Sequence, residues 1–129
     1  MNGPDIFEQT SLLSFDDALQ RLVRAIQISG MTIFAKIDHA AHARSIGVIM
    51  PPTTVLIYGA AKGGTPIMLA APVAALDLPL RLLVRERDDG ITVIAFHPIV
   101  DVLRRSGVPQ QVAARLEPAQ QALVKAVAS

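Results

Sequence analysis

The chain has 129 residues, 51% hydrophobic and 4% aromatic, with twelve basic side chains against eleven acidic ones for a net charge of +1. That length suits one domain, here residues 1–129, able to bury about two-thirds of its unfolded surface, and so small a charge supplies no field toward nucleic acid or an anionic membrane. Cysteine is absent, which excludes disulfides, thiolate metal sites and a cysteine nucleophile.

The core must be aliphatic, and the apolar surplus leads us to expect another subunit against it, as a homo-oligomer. Residues 1–8, Met-Asn-Gly-Pro-Asp-Ile-Phe-Glu, carry acids and lack the apolar run of a signal peptide. The longest uncharged stretch, Ser45 to Ala61, contains Pro51-Pro52 and falls short of the roughly 20 apolar residues that cross a bilayer. The expectation is a soluble cytoplasmic protein with neither nucleic acid nor membrane as partner.

In chain order, residues 5–12 alternate weakly and read as a first strand that depends on a partner strand. Ser14 is a helix N-cap, and Phe15, Ala18, Leu19, Leu22, Val23 and Ile26 recur at helical spacing until Gly30 ends the helix. Arg21 and Arg24 fall on its solvated side. Met31 to Ile37 is a strand with both parities largely apolar, which predicts a central position buried on two faces.

That strand runs into Lys36, Asp38 and His39. A carboxylate costs several kcal/mol to bury unpaired, so Asp38 reads first as the cap of a short helix from His39 to Ile46, closed by Gly47. The sharper reading sets Asp38 beside Lys36 and His39 at the mouth of a pocket, because sites are often built on element ends. After Pro51-Pro52, Thr53 to Tyr58 is a β-branched strand.

Gly59-Ala60-Ala61-Lys62-Gly63-Gly64-Thr65-Pro66 reads as a glycine-rich loop, with Thr65 capping a helix that Pro66 begins. Strand, glycine loop and helix N-terminus in that order present backbone amides to an anion. It is not a Walker loop, because Lys62 precedes the paired glycines. The helix runs to Pro72, and Val73 to Leu76 adds a turn before Asp77-Leu78-Pro79.

Leu80 to Arg87 alternates, with Arg81, Arg85 and Arg87 on one side; Asp88-Asp89-Gly90 signals a hairpin, and Ile91 to Phe96 returns. The register stays open, since loops of two, three or four residues all fit. Pro98 to Arg105 is a short helix stopped by Gly107. Pro109 to Ser129 is helical, as one helix or as two with a kink at Glu117, and Leu116, Ala119, Leu123 and Val127 form its buried stripe.

Taken together, several pieces resemble the bacterial and archaeal family known as domain of unknown function 302. They are Gly30 with the strand to Lys36-Ile37-Asp38-His39-Ala40; Gly47 before Pro51-Pro52-Thr53; Tyr58-Gly59 leading to Gly64-Thr65-Pro66-Ile67-Met68; and Leu76-Asp77-Leu78-Pro79-Leu80 running into the charged hairpin. The resemblance covers nearly the whole chain. It implies a small α+β domain, an antiparallel sheet with helices on one face in a TATA-binding-protein-like arrangement, as a homodimer without an assigned activity. Where the family carries Asn-Pro after the glycine matching Gly59, this chain has Ala60-Ala61.

The candidate site is therefore Lys36, Asp38, His39, Gly59, Gly64, Thr65 and Asp77, holding a small anionic molecule. An enzyme of the hydrolase or isomerase class, using Lys36, Asp38, His39 and Asp77, is the alternative, although no nucleophile elbow and no cofactor fingerprint is present. A purely structural interaction domain is the third reading. His39 and His42 lie three apart on one helix face and would need His97 or Asp77 to complete a zinc-like set, a spacing that does not by itself build a metal site, and no metal is expected.

Overall fold

The computed structural model describes residues 5–128; residues 1–4 and Ser129 of the expected domain, and the reading of that N-terminal start, lie outside them. Strand β1 (Phe7–Ser11) leads to helix α1 (Phe15–Ile28), β2 (Thr32–Asp38), α2 (His39–Ser45), β3 (Thr53–Gly59) and α3 (Ala61–Ala70). A 3-10 turn at Pro72–Asp77 precedes the hairpin β4 (Leu80–Glu86) and β5 (Thr92–Phe96). Then come α4 (Ile99–Arg104), α5 (Gln110–Ala113), a 3-10 turn at Ala114–Leu116 and α6 (Glu117–Ala126). The five strands make one antiparallel sheet in the order β1-β5-β4-β3-β2.

Helix α1 carries the chain from one edge of that sheet to the other. Its start is capped by Ser14, whose Oγ accepts the Asp17 N–H at 3.1 Å. Ala18, Leu22 and Ile26 are fully buried, and each of the two larger side chains contributes about 1.5–3 kcal/mol by leaving water. The sheet meets them with Leu56 and Tyr58 of β3, Leu82 and Val84 of β4, and Ile94 of β5. On β1, Gln9 Nε2 and Ser11 Oγ donate to the Val124 and Val127 carbonyls at 3.3 and 2.9 Å, which ties the C-terminal helix to the sheet. Phe7 and Phe96 stack with ring centroids 4.9 Å apart. The α+β layering is as the sequence predicts.

Two expectations are corrected. The β2 strand is an edge strand, not a central one, and exposure alternates along it. A bulge between Ile33 and Ala35 is the reason: Ile33 pairs with Tyr58 on the helix side, whereas Ala35 and Ile37 pair with Ile57 and Val55. Ile33, Ala35 and Ile37 share one parity, and Phe34, which the bulge leaves out of the register and which is exposed, supplies the second apolar parity that in sequence mimics burial on both sides.

The glycine-rich segment is not a loop. Ala61 to Ala70 is one helix, with Gly63 and Gly64 in its first turns and Pro66 inside it. The Gly63 and Gly64 amides both donate to the Ala60 carbonyl, at 3.0 and 3.1 Å, so the turn is complete before Pro66 withholds its own donor. Thr65 therefore caps nothing.

The hairpin register, left open by sequence, is set by a three-residue loop. Arg87 N donates to the Ile91 carbonyl at 2.8 Å and Gly90 N to the Arg87 carbonyl at 2.9 Å. Gly90 takes φ +84°, a left-handed conformation that glycine adopts without a side-chain clash. The C-terminal segment is two helices, α5 and α6, joined by the 3-10 turn that ends at Leu116.

Candidate functional site

A cavity of about 370 Å³ lies where four segments distant in sequence come together. Met31 and Phe34 bring the start of β2, Gly59 to Met68 bring the end of β3 and helix α3, Leu78-Pro79-Leu80 brings the entry to β4, and Arg115, Leu116 and Ala119 bring the C-terminal segment. The Leu78–Pro79 peptide bond in this wall is cis. The lining is overwhelmingly apolar; Thr65 and Arg115 are its polar side chains. The volume lies in the range of small-molecule pockets, which are likewise lined mostly by apolar side chains with few polar groups.

The glycines of α3 make the space. A Cβ on Gly63 would approach Leu116 Cδ2 to 3.1 Å, and one on Gly64 would meet Leu78 Cδ1 and Met68 Cε at 3.8 Å. Glycine within a helix costs about 1 kcal/mol relative to alanine, so this helix is less stable than it need be, and the missing methyl groups leave room inside. Gly59 closes the far side: its own Cβ would stand 3.6 Å from Pro79 Cβ. Phe34 is 55% exposed although it lines the cavity, which places an aromatic ring between the cavity and solvent.

Of the residues selected from sequence, Gly59, Gly64 and Thr65 line this cavity, and Lys36, Asp38, His39 and Asp77 do not. Lys36 faces a shallow groove along α1 with Asp16, Gln20 and Arg24. Asp38 Oδ1 accepts the Ala41 N–H at 2.9 Å and so caps α2. His39, in the first turn of α2, is exposed. Asp77 belongs to another cavity, with His97 and Arg105, and its Oδ1 lies 3.7 Å from Arg105 Nη2.

The sequence thus grouped four ionisable residues that the fold distributes over three places. Among the described residues no three of His, Asp and Glu gather as metal ligands would. The Tyr58 hydroxyl is buried without a hydrogen-bond partner among the described residues, and burial raises its pKa far above the usual phenol range. It stays a neutral phenol at physiological pH.

Sequence reasoning missed Met31, Phe34, Met68, Leu78, Arg115 and Leu116. The one local signal was the Gly63-Gly64 pair, legible as a thinned helix face had the helix been started at Ala61.

Comparison with known proteins agrees with this fold. A family model described as "Domain of unknown function DUF302" matches residues 7–129. The crystal structure of an uncharacterized conserved protein DUF302 from Bacillus stearothermophilus is similar with a TM-score of 0.81 over 95% of this chain and 94% of that one. Sequence identity between the two is 14%, so that likeness is one of fold. Two curated proteins, both named "Fluoride-specific ion channel FluC 1", from Brucella suis and Brucella abortus, are 34% identical over 77 residues. Those residues are 60% of this chain but 30% and 28% of theirs; the chain spans under a third of the length of the curated relatives it matches.

Proposed function

This chain belongs to the DUF302 family, and from that premise we propose that it is a binding module for a small amphipathic molecule with an apolar body and one anionic group. The observation that carries the proposal is the 370 Å³ cavity, apolar throughout except for Thr65 and Arg115. The apolar walls offer the hydrophobic contribution, roughly 25 cal/mol per Å² of ligand surface covered. Arg115 supplies a fixed positive charge and a forked set of donors to a carboxylate or phosphate head.

An anionic ligand agrees with the site first read from Gly59, Gly64 and Thr65. The alternative of an enzyme working through Lys36, Asp38, His39 and Asp77 finds no support in their placement, because Asp77 lines a cavity that contains none of the other three. The channel activity in the name of the Brucella proteins is not extended to this chain, since the match covers less than a third of each. Among the described residues no helix is long and apolar enough to cross a membrane. A homodimer is part of the proposal: Leu69, Val73 and Leu76, on α3 and the turn after it, are 79%, 61% and 77% exposed, an apolar surface that a second copy would cover.

Calorimetric titration with octanoate and with octanol tests the ligand class. Octanoate is expected to bind, and Arg115→Met to weaken it about tenfold, the worth of one charge-assisted hydrogen bond, while octanol affinity stays unchanged. Failure of both compounds to bind at millimolar concentration, or an equal loss for both in the variant, overturns the reading.

A further inference from the structure

A second cavity, of about 210 Å³, shares Pro79 and Leu80 with the apolar one but adds ionisable side chains and Gln120 to an otherwise apolar wall. It lies beyond the end of the β4–β5 ladder. That ladder ends at Leu83 opposite Ala95, although β4 begins at Leu80 and β5 continues to Phe96. Carried on, the same register sets Arg81 opposite His97. Both line the gap together with Asp77, Arg105 and Gln120.

We propose that this gap is a binding site for a small tetrahedral oxyanion of the phosphate class, separate from the apolar cavity and independent of the function proposed for it. Arg81, His97 and Arg105 bring three basic side chains against one carboxylate. Asp77 holds Arg105 only through an ion pair, its Oδ1 3.7 Å from Nη2 and beyond direct hydrogen-bonding distance, while Arg105 Nε makes a long 3.5 Å bond to the Val102 carbonyl, so the guanidinium keeps donors for a ligand. Among the described residues Arg81 makes no ion pair.

The position of His97 is fixed from two sides. Its Nδ1 donates to the Asp5 carbonyl at 3.1 Å, and Nε2, which has no partner among the described residues, donates to an anion in the imidazolium form of the ring. Gln120, 3% exposed, accepts the Ile99 N–H and donates to the His97 carbonyl, both at 3.0 Å. That bridge holds the backbone of residues 97 to 99 and uses one of the two amide hydrogens. The basic groups come from the start of β4, the end of β5 and the end of α4, so they surround the gap from different directions. Such an arrangement suits an anion with acceptor oxygens on every side better than a planar carboxylate met by a single fork. The volume admits the anion with a few waters, each occupying about 30 Å³.

The test is calorimetric titration of the full chain with inorganic phosphate at constant ionic strength, with acetate as the planar comparison. Phosphate is expected to bind more tightly than acetate, and Arg81→Ala and Arg105→Ala each to weaken it about tenfold. Both arginines are exposed, so neither change threatens the core. Asp77→Asn is expected to tighten binding severalfold, because it removes the one like charge in the gap; a general attraction of anions to surface arginines would not single out that carboxylate. Glycerol 3-phosphate, titrated in parallel, tells an esterified phosphate from the free anion. Absence of binding by both phosphates, acetate binding as tightly as phosphate, or unchanged affinity in both arginine variants overturns the proposal.

Discussion

A Cβ on Gly63 would stand 3.1 Å from Cδ2 of Leu116, so α3 approaches the turn before α6 closely enough that a methyl group there forces the leucine to give way. Gly64, one residue on, has more room. Its Cβ would make ordinary contacts at 3.8 Å with Leu78 and Met68, inside the cavity. Gly64→Ala is therefore expected to raise stability by up to about 1 kcal/mol through helix propensity while weakening octanoate binding severalfold. Thermal unfolding and calorimetry on the same variant check both halves. A more stable variant with undiminished octanoate affinity places the ligand outside this cavity.

Gln120→Leu is expected to lower stability by about 2 kcal/mol. The substitution keeps an apolar side chain of similar size but leaves the buried Ile99 N–H without its acceptor at 3.0 Å and the His97 carbonyl without its donor, and each orphaned group costs about 1–3 kcal/mol less any compensation by water. Urea unfolding monitored by circular dichroism measures it. A change under about 0.5 kcal/mol would mean that water replaces both bonds.

The hairpin carries an acid-sensitive contact. Asp89 is pulled down to about 2 from 3.8, first by its hydrogen bonds with Arg87 and then by the Ile91 N–H. Arg87 Nε and Nη2 reach Oδ1 and Oδ2 at 3.1 and 2.5 Å. A carboxylate with a depressed native pKa stabilises the fold above its unfolded pKa, and that contribution disappears as the pH falls through the native value. The contact should therefore be intact above pH about 4 and lost toward pH about 2. Because the pair is fully exposed, the effect on global stability is small, and carboxyl-carbon NMR titration of Asp89 is the fitting measurement; a midpoint near 3.8 would show that the fork does not form.

Light scattering after size-exclusion chromatography is expected to give twice the 13.8 kDa chain mass. Leu76→Glu, at a position 77% exposed, is expected to return the monomer without loss of fold, since a charge there meets water in the monomer and apolar surface in the dimer. A wild-type monomer at high micromolar concentration removes the homodimer from the proposed function.

Much of the architecture was legible because its signals are local. Ser14 and Asp38 cap the helices that follow them, Gly30, Gly47 and Gly107 all adopt positive φ where helices were expected to stop, and the Leu80, Leu82 and Val84 alternation is buried as the period-two pattern requires. The two strand and helix misreadings have physical causes as well. The bulge on β2 leaves Phe34 out of the register and exposed, and this extra apolar residue of the opposite parity made an edge strand imitate a central one. Glycines that usually interrupt helices were accepted by α3 because its face there packs against Leu78 and Leu116.

What the sequence by itself determined was the class of fold, the family, most element positions and three residues of the apolar cavity, all of which depend on spacing along the chain. Only the tertiary structure decided which ionisable residues meet. Lys36, Asp38 and His39 are neighbours in sequence, yet Lys36 lies along the groove beside α1 while Asp38, two residues on, turns to cap its own helix, of which His39 is the exposed first residue. Asp77, Arg81, His97 and Arg105 lie on four different segments, and they share a cavity that lies beyond the end of the β4–β5 ladder. Proximity across folded segments is a property of packing, and no pattern in one stretch of chain encodes it.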